Sequence, residues 1–201
     1  MYNAIKTKKV MDKVDYNILL EDDTPKVQYK IYCDMDGVLT DFEKRFFSKL
    51  ETEGPKYYKQ SDLQGLIEPK DFKKKFGMEE FWKFIDQHVG ISFWIGMDWM
   101  PEGKKLWDYI KPHKPELLTS PSRNNVSRLG KNLWVRNNLN PKPKVNFAYS
   151  KDKQIYAQPN AILIDDKKSN INEWTAKGGI AIRCKNGNVD HVIEKLQELG
   201  L

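Results

Sequence analysis

Apolar residues in this chain gather into short runs, and the longer polar stretches between them repeat with a helical beat. Four runs have the length of strands: Val27 to Cys33, Glu116 to Leu118, Ala161 to Ile164, and Ile180 to Cys184. A weaker fifth covers Val145 to Ala148. Helical patterns lie between them. Leu129 to Leu139 carries Leu133, Trp134 and Leu139 on one side, and Asn170 to Lys177 stops at Gly178-Gly179. From Asn188 to Leu199, Val189, Val192, Ile193, Leu196 and Leu199 recur at helical spacing. Strands alternating with helices predict an α/β fold with a parallel, doubly wound sheet. In such sheets ligands gather at the carboxyl ends of the strands.

Two segments stand outside this alternation. Residues 1–26 are charged and weakly patterned, ending in Glu21-Asp22-Asp23-Thr24-Pro25, and read as an N-terminal arm in which Tyr16 to Leu20 is the part suited to packing. Residues 42–113 are rich in aromatics and read as mostly helical, with breaks at Gly54-Pro55, Gly65, Gly77 and Gly96. Inserted after the first strand, they would sit over the carboxyl edge as a cap. The α/β core then comprises residues 27–41 and 114–201.

The first strand ends in Asp34-Met35-Asp36-Gly37. Two carboxylates two residues apart point the same way as they leave a strand. Like charges so close repel unless a cation sits between them or one takes a proton. Mg²⁺, which takes oxygen ligands, is the natural neutraliser, and Gly37 lets the backbone turn sharply. A solvated, Asp-rich turn is the plainer alternative. The third apolar run ends in a second acidic pair, Asp165-Asp166, costly at the end of a buried strand unless the pair binds something. Leu117-Leu118 runs into Thr119-Ser120-Pro121-Ser122-Arg123, where hydroxyls and free N–H groups suit an anion. Ser150-Lys151-Asp152-Lys153 offers two ammonium groups upstream of Asp165.

Composition narrows the partners. Of 201 residues, 39% are hydrophobic and 12% aromatic, enough for a core. The net charge of +6 suits an anionic partner such as a phosphate ester or nucleic acid. No stretch approaches 18 apolar residues, so no membrane span is expected. Met1-Tyr2-Asn3-Ala4-Ile5-Lys6 has no apolar leader pattern. Cys33 and Cys184 sit in apolar runs, away from any Cys/His cluster, which suits the cytoplasm, or a host cytoplasm for a phage-encoded chain.

The chain resembles the haloacid dehalogenase (HAD) superfamily of phosphotransferases. Four motifs carry the resemblance, in order: Asp34-Met35-Asp36-Gly37-Val38, Leu117-Leu118-Thr119-Ser120, Lys153, and Ile164-Asp165-Asp166. It spans roughly residues 28–184. Within the superfamily the chain looks most like the 5′(3′)-deoxyribonucleotidase group, through Asp36 to Phe42, Thr119-Ser120-Pro121, Leu163 to Asp166, and Lys131 to Val135.

The resemblance implies a Rossmann-like core and roles for its motifs. Asp34 would attack phosphorus, and Asp36 would act as general acid and then base. Thr119, Ser120 and Lys153 would hold the phosphoryl oxygens, with Lys151 in reserve. Mg²⁺ would be bound by Asp34, the backbone carbonyl of Asp36, and Asp165 and Asp166, with the directly bound acid of that pair left open. For the substrate pocket, Phe42 and either Phe93 or Trp94 are stacking candidates. Arg123 and Lys131 reach a phosphate or stay on a solvated surface. Asp41 orients a loop or caps a helix from Phe42. The expected activity is Mg²⁺-dependent hydrolysis of a nucleoside monophosphate. The rivals are a phosphatase of polynucleotide ends and a nucleotide-binding module with a vestigial site. The oligomeric state is open, a dimer included.

Overall fold

A computed structural model describes residues 27–201, so the N-terminal arm and its Tyr16–Leu20 segment lie outside the described residues. Five strands form one parallel sheet: β1 (Lys30–Cys33), β2 (Glu116–Thr119), β3 (Val145–Phe147), β4 (Ala161–Asp165) and β5 (Ile180–Arg183). Their order is β3-β2-β1-β4-β5, which puts β1 at the centre between β2 and β4. β1 starts three residues later than its apolar run, because its pairing with β4 begins at Lys30↔Ala161. Val27 is left exposed.

Both faces of the sheet are covered, as an all-parallel sheet requires. Alternate residues serve opposite layers. Ile31, Cys33, Ile162, Ile164 and Ile182 join the larger core, together with Leu106, Trp107, Val192 and Leu196. Tyr32, Leu118 and Leu163 face the other way, against Trp174.

Six helices lie between β1 and β2: α1 (Phe42–Glu53), α2 (Gln60–Leu63), α3 (Pro69–Phe76), α4 (Met78–Lys83), α5 (Ile91–Ile95) and α6 (Gly103–Ile110). A single π-helical turn, Phe84–Val89, joins α4 to α5. Asp41 caps α1, accepting a hydrogen bond from Lys44 N at 2.9 Å, which stabilises the helix start by about 1 kcal/mol. Phe46, Phe72, Phe81 and Phe84 are fully buried and pack edge-on or tilted, so the insertion has an aromatic interior continuous with the larger core.

The chain leaves and re-enters the core at one place. Asp41 N donates to Asp98 O at 2.9 Å, Met100 N donates to Leu39 O at 2.8 Å, and Thr40 bridges antiparallel to Trp99.

After β2 come α7 (Asn125–Asn138), α8 (Lys168–Ala176) and α9 (Val189–Glu198). α7 starts four residues before the Leu129–Leu139 pattern because Asn124 caps it, accepting from Val126 N at 3.0 Å. A 3₁₀ segment, Ser150–Tyr156, precedes β4. Among the described residues no helix is long and apolar enough to cross a membrane.

Candidate active site

Strand register builds the acidic centre. Cys33 pairs with Ile164, so the next residues, Asp34 and Asp165, leave the sheet side by side. Asp34 N donates to Ile164 O at 2.9 Å, fixing that level. Asp34, Asp165 and Asp166 each bring a carboxylate oxygen within 4.8 Å of the others.

Lys153 sits inside this cluster. Its Nζ lies 2.7 Å from Asp34 Oδ2 and 2.7 Å from Asp165 Oδ2, and the residue is only 1% exposed. Burial alone would lower the Lys153 pKa, but Asp34 and Asp165 outweigh it and hold the ammonium above its ordinary range. Asp165 is fully buried and well satisfied. It accepts from Asn170 Nδ2 at 2.8 and 3.0 Å and from Lys167 N at 2.9 Å. Even so, burial and the nearby Asp34 charge push its carboxyl up to about 6, against the pull of Lys153. Burial, Asp34 and Asp165 push Asp166 up to about 7.

The second carboxylate of the first motif has its own cation. Asp36 Oδ2 lies 2.6 Å from Lys131 Nζ, and Asp36 Oδ1 accepts from Thr40 Oγ1 at 3.1 Å. Lys131 also donates to Thr119 Oγ1 at 2.7 Å and to Ser120 O at 3.0 Å. Lys131 is therefore no solvated surface residue, since it is completely buried. Its side chain belongs to the floor of the site, where Asp36 and two groups of the β2–α7 loop compensate its burial.

Gly37 turns the chain out of the centre with φ +79°, a left-handed conformation that disfavours a side chain. It also makes room, because a Cβ there would lie 2.7 Å from Asp166 Oδ2.

Above the carboxylates opens a cleft of about 940 Å³, within the usual range for ligand sites. Asp36, Asp166 and Ser120 line its floor, Phe42, Trp82, Trp94 and Tyr149 supply aromatic walls, and Arg123 and Lys151 add positive charge. Thr119 is wholly buried beneath Ser120. Phe93, one of the two expected stacking faces, does not line the cleft. It is fully buried, with its ring edge-on to Phe42 at 5.2 Å; Trp94 borders the cleft but is itself only 1% exposed, so neither ring offers an open face. Trp82 and Tyr149 are lining residues the sequence pattern did not single out. A Trp in an amphipathic helix gives no signal separating a cleft wall from a core contact.

The donor set suits a hard divalent cation, being all oxygen and gathered at one point. Formally, Asp34, Asp36, Asp165 and Asp166 face only Lys131 and Lys153 at the floor, an excess of two negative charges that one such cation would neutralise.

No protein-family model matches the chain, and no curated protein sequence does. Solved structures do share its fold. One is a predicted phosphatase from Clostridium acetobutylicum, with a TM-score of 0.57 at 15% identity over 85% of this chain and 99% of that one. Another is a haloacid dehalogenase-like family hydrolase from Xanthomonas campestris, with a TM-score of 0.56 at 12% identity over 88% of this chain and 93% of that one. The α/β architecture with a parallel sheet and a helical insertion after the first strand is thus a fold also adopted by these hydrolases.

Proposed function

We propose that this chain is a Mg²⁺-dependent phosphatase of the haloacid dehalogenase superfamily that hydrolyses a small phosphate monoester of the nucleoside monophosphate class. Residues 27–41 and 114–201 would form its α/β core and residues 42–113 its cap. The observation that carries the reading is the meeting of Asp34, Asp165 and Asp166 at the ends of β1 and β4, with Lys153 seated among them.

In this reading the Asp34 carboxylate attacks phosphorus, and the bond to the leaving oxygen breaks as Asp36 gives that oxygen a proton. Asp36, left as a base, then takes a proton from the water that attacks the aspartyl-phosphate, which releases inorganic phosphate and restores Asp34. Lys153 neutralises the oxygens that gain charge, and Ser120 and Thr119 supply hydroxyl donors from the end of β2. Asp34, Asp165 and Asp166, with the Asp36 carbonyl, would hold Mg²⁺, which would supply positive charge beside the transferring phosphoryl group. Lys131 keeps the Asp36 carboxyl aimed at the cleft.

The aromatic walls support a planar leaving group. Stacking a base on Phe42 or Trp82 is typically worth ~1–3 kcal/mol per base. A groove of about 810 Å³ adjoins the cleft through Trp82 and Arg123. Lys83 and the acids Glu79 and Asp86 also line it, so its length rather than its charge favours a second reading in which the leaving group is a longer polynucleotide end. Phosphate release from nucleoside monophosphates, 5′- and 3′-phosphorylated oligonucleotides and sugar phosphates, each with and without Mg²⁺, tests both readings. Turnover of mononucleotides alone supports the first, and preference for oligonucleotides the second. Absence of Mg²⁺-dependent phosphate release from every substrate defeats both.

A further inference from the structure

Asp86 lies outside the acidic centre and has no part in the steps above. It sits in the π-helical turn and is 8% exposed. Such turns add one residue per turn, redirect side chains, and recur at functional sites. Asp86 Oδ1 accepts the Trp94 Nε1–H at 3.2 Å. Burial pushes the Asp86 carboxyl above its ordinary range, against the pull of hydrogen bonds from Ser122 and Trp94.

Trp94 in turn is pressed against α7. Gly130 lies against it so closely that a Cβ there would overlap Trp94 Cβ. The next residue, Lys131, places its Nζ 5.3 Å from the centre of the Trp94 ring. That ammonium is the one held 2.6 Å from Asp36 Oδ2. A continuous chain of contacts therefore runs from Asp86 to Trp94, to Lys131, to Asp36. The indole face is attractive to the ammonium only while the ring keeps its orientation, and the hydrogen bond to the buried Asp86 carboxyl sets that orientation together with the packing of Gly130, Phe42 and Phe93.

We propose that Asp86 is a positioning residue for Asp36: it locks the Trp94 indole, which holds Lys131 in place behind the proton-transferring carboxyl. Asp86 has this role only if Asp36 is the proton donor proposed above. The test compares Asp86→Leu, Asp86→Asn, Trp94→Phe and the double variant Asp86→Leu/Trp94→Phe on two substrates. A nucleoside monophosphate needs its leaving oxygen protonated, whereas p-nitrophenyl phosphate does not. Asp86→Leu is expected to lower kcat/KM for the nucleotide by about tenfold, the loss usual for an outer-shell partner. In kcat/KM for p-nitrophenyl phosphate, which reports the first step up to loss of nitrophenolate, the same variant should stay within about twofold of the parent, because that step calls for no proton. The later attack of water, where Asp36 acts as base on either substrate, enters only kcat. Asp86→Asn, which keeps an acceptor for the indole, restores nucleotide turnover, and the double variant is no slower than the slower single one. Equal losses on both substrates, or losses that multiply in the double variant, overturn the proposal and leave Asp86 a purely structural group. If the parent protein hydrolyses neither substrate, the phosphatase reading fails by itself. The Trp94 indole N–H then still reports in a ¹⁵N-labelled sample: unchanged exchange protection in Asp86→Leu would overturn the lock as well.

Discussion

The ammonium of Lys131 lies 2.6 Å from Oδ2 of Asp36, although the two residues stand 95 positions apart in the chain. The contact joins α7 to the loop after β1 and gives one carboxyl of the site its own counter-charge. Lys131→Met keeps the buried stem but removes the charge, leaving Asp36, Thr119 and Ser120 without their shared donor. Nucleotide kcat/KM should fall about a hundredfold, the upper end of the loss when a supporting partner is removed. Thermal melts should show a destabilisation of about 1–3 kcal/mol from the orphaned acceptors. Steady-state kinetics at parent levels would detach Lys131 from the chemistry.

Asp34→Asn removes the carboxylate proposed to attack phosphorus while preserving shape. Phosphate release should drop by on the order of a thousandfold or more, as for other covalent nucleophiles. Lys153 also loses one of its two carboxylate partners. Mass spectrometry of the parent quenched during turnover should show a phosphate adduct on the Asp34 peptide, absent in the variant.

The metal-free protein should be most stable in mild acid. The folded-state carboxyls of Asp165 at about 6 and Asp166 at about 7 both lie above the ordinary value of 3.8. Between those limits the folded chain keeps protons that the unfolded chain has released, so stability falls as pH rises through the window. In EDTA, Tm should be higher at about pH 5 than at about pH 7.5, by this linkage. Mg²⁺ should reverse the loss at neutral pH, adding about 2.7 kcal/mol at a hundred times its Kd. Melting curves indifferent to both pH and Mg²⁺ would contradict the acidic centre as a cation site.

Gly37→Ala probes the space beside Asp166. The left-handed φ of +79° costs a non-glycine residue roughly 1–2 kcal/mol. The new methyl would also drive against the Asp166 carboxylate. The expected outcome is Mg²⁺ affinity weakened at least about tenfold, the scale of disturbing a ligand's support. Calorimetric titration of Mg²⁺ measures it, and affinity equal to the parent's would show that Asp166 is free to step aside.

Much of the centre was legible because strands that end in acids announce themselves. An apolar run closing on Asp165-Asp166 is costly unless the pair binds something, and helices lying between strands imply a parallel sheet, although the order that sets β1 beside β4 is seen only in the structure. The cap at Asp41 was one of the two readings its position offered, the other being a loop-orienting role. Lys131 was named only as a residue that reaches a phosphate or stays on a solvated surface, and its place behind Asp36 was not readable, because a lysine inside a helical pattern shows no partner until the neighbouring helix is known. Its burial depends on Gly130 letting Trp94 approach, a long-range contact with no local signature. The π-helical turn that carries Asp86 also has no sequence mark, because the segment Phe84–Val89 keeps a helical pattern. Phe93 and Trp94 are adjacent, and only the direction of α5 decides which one borders the cleft.

The seam where residues 39–41 run beside 98–100 brings the two ends of a long excursion together next to Asp36. Once that stem is zipped, the entropy of closing the loop has been met locally, and it grows only slowly with whatever length lies beyond. The stretch between is anchored at that stem and again where Trp94 of α5 packs on Gly130 of α7. Its outer helices are free to lengthen, shrink or be exchanged over evolutionary time, provided that the turn holding Asp86 and Trp94 is kept. Selectivity can therefore drift while the chemistry at the stem stays put.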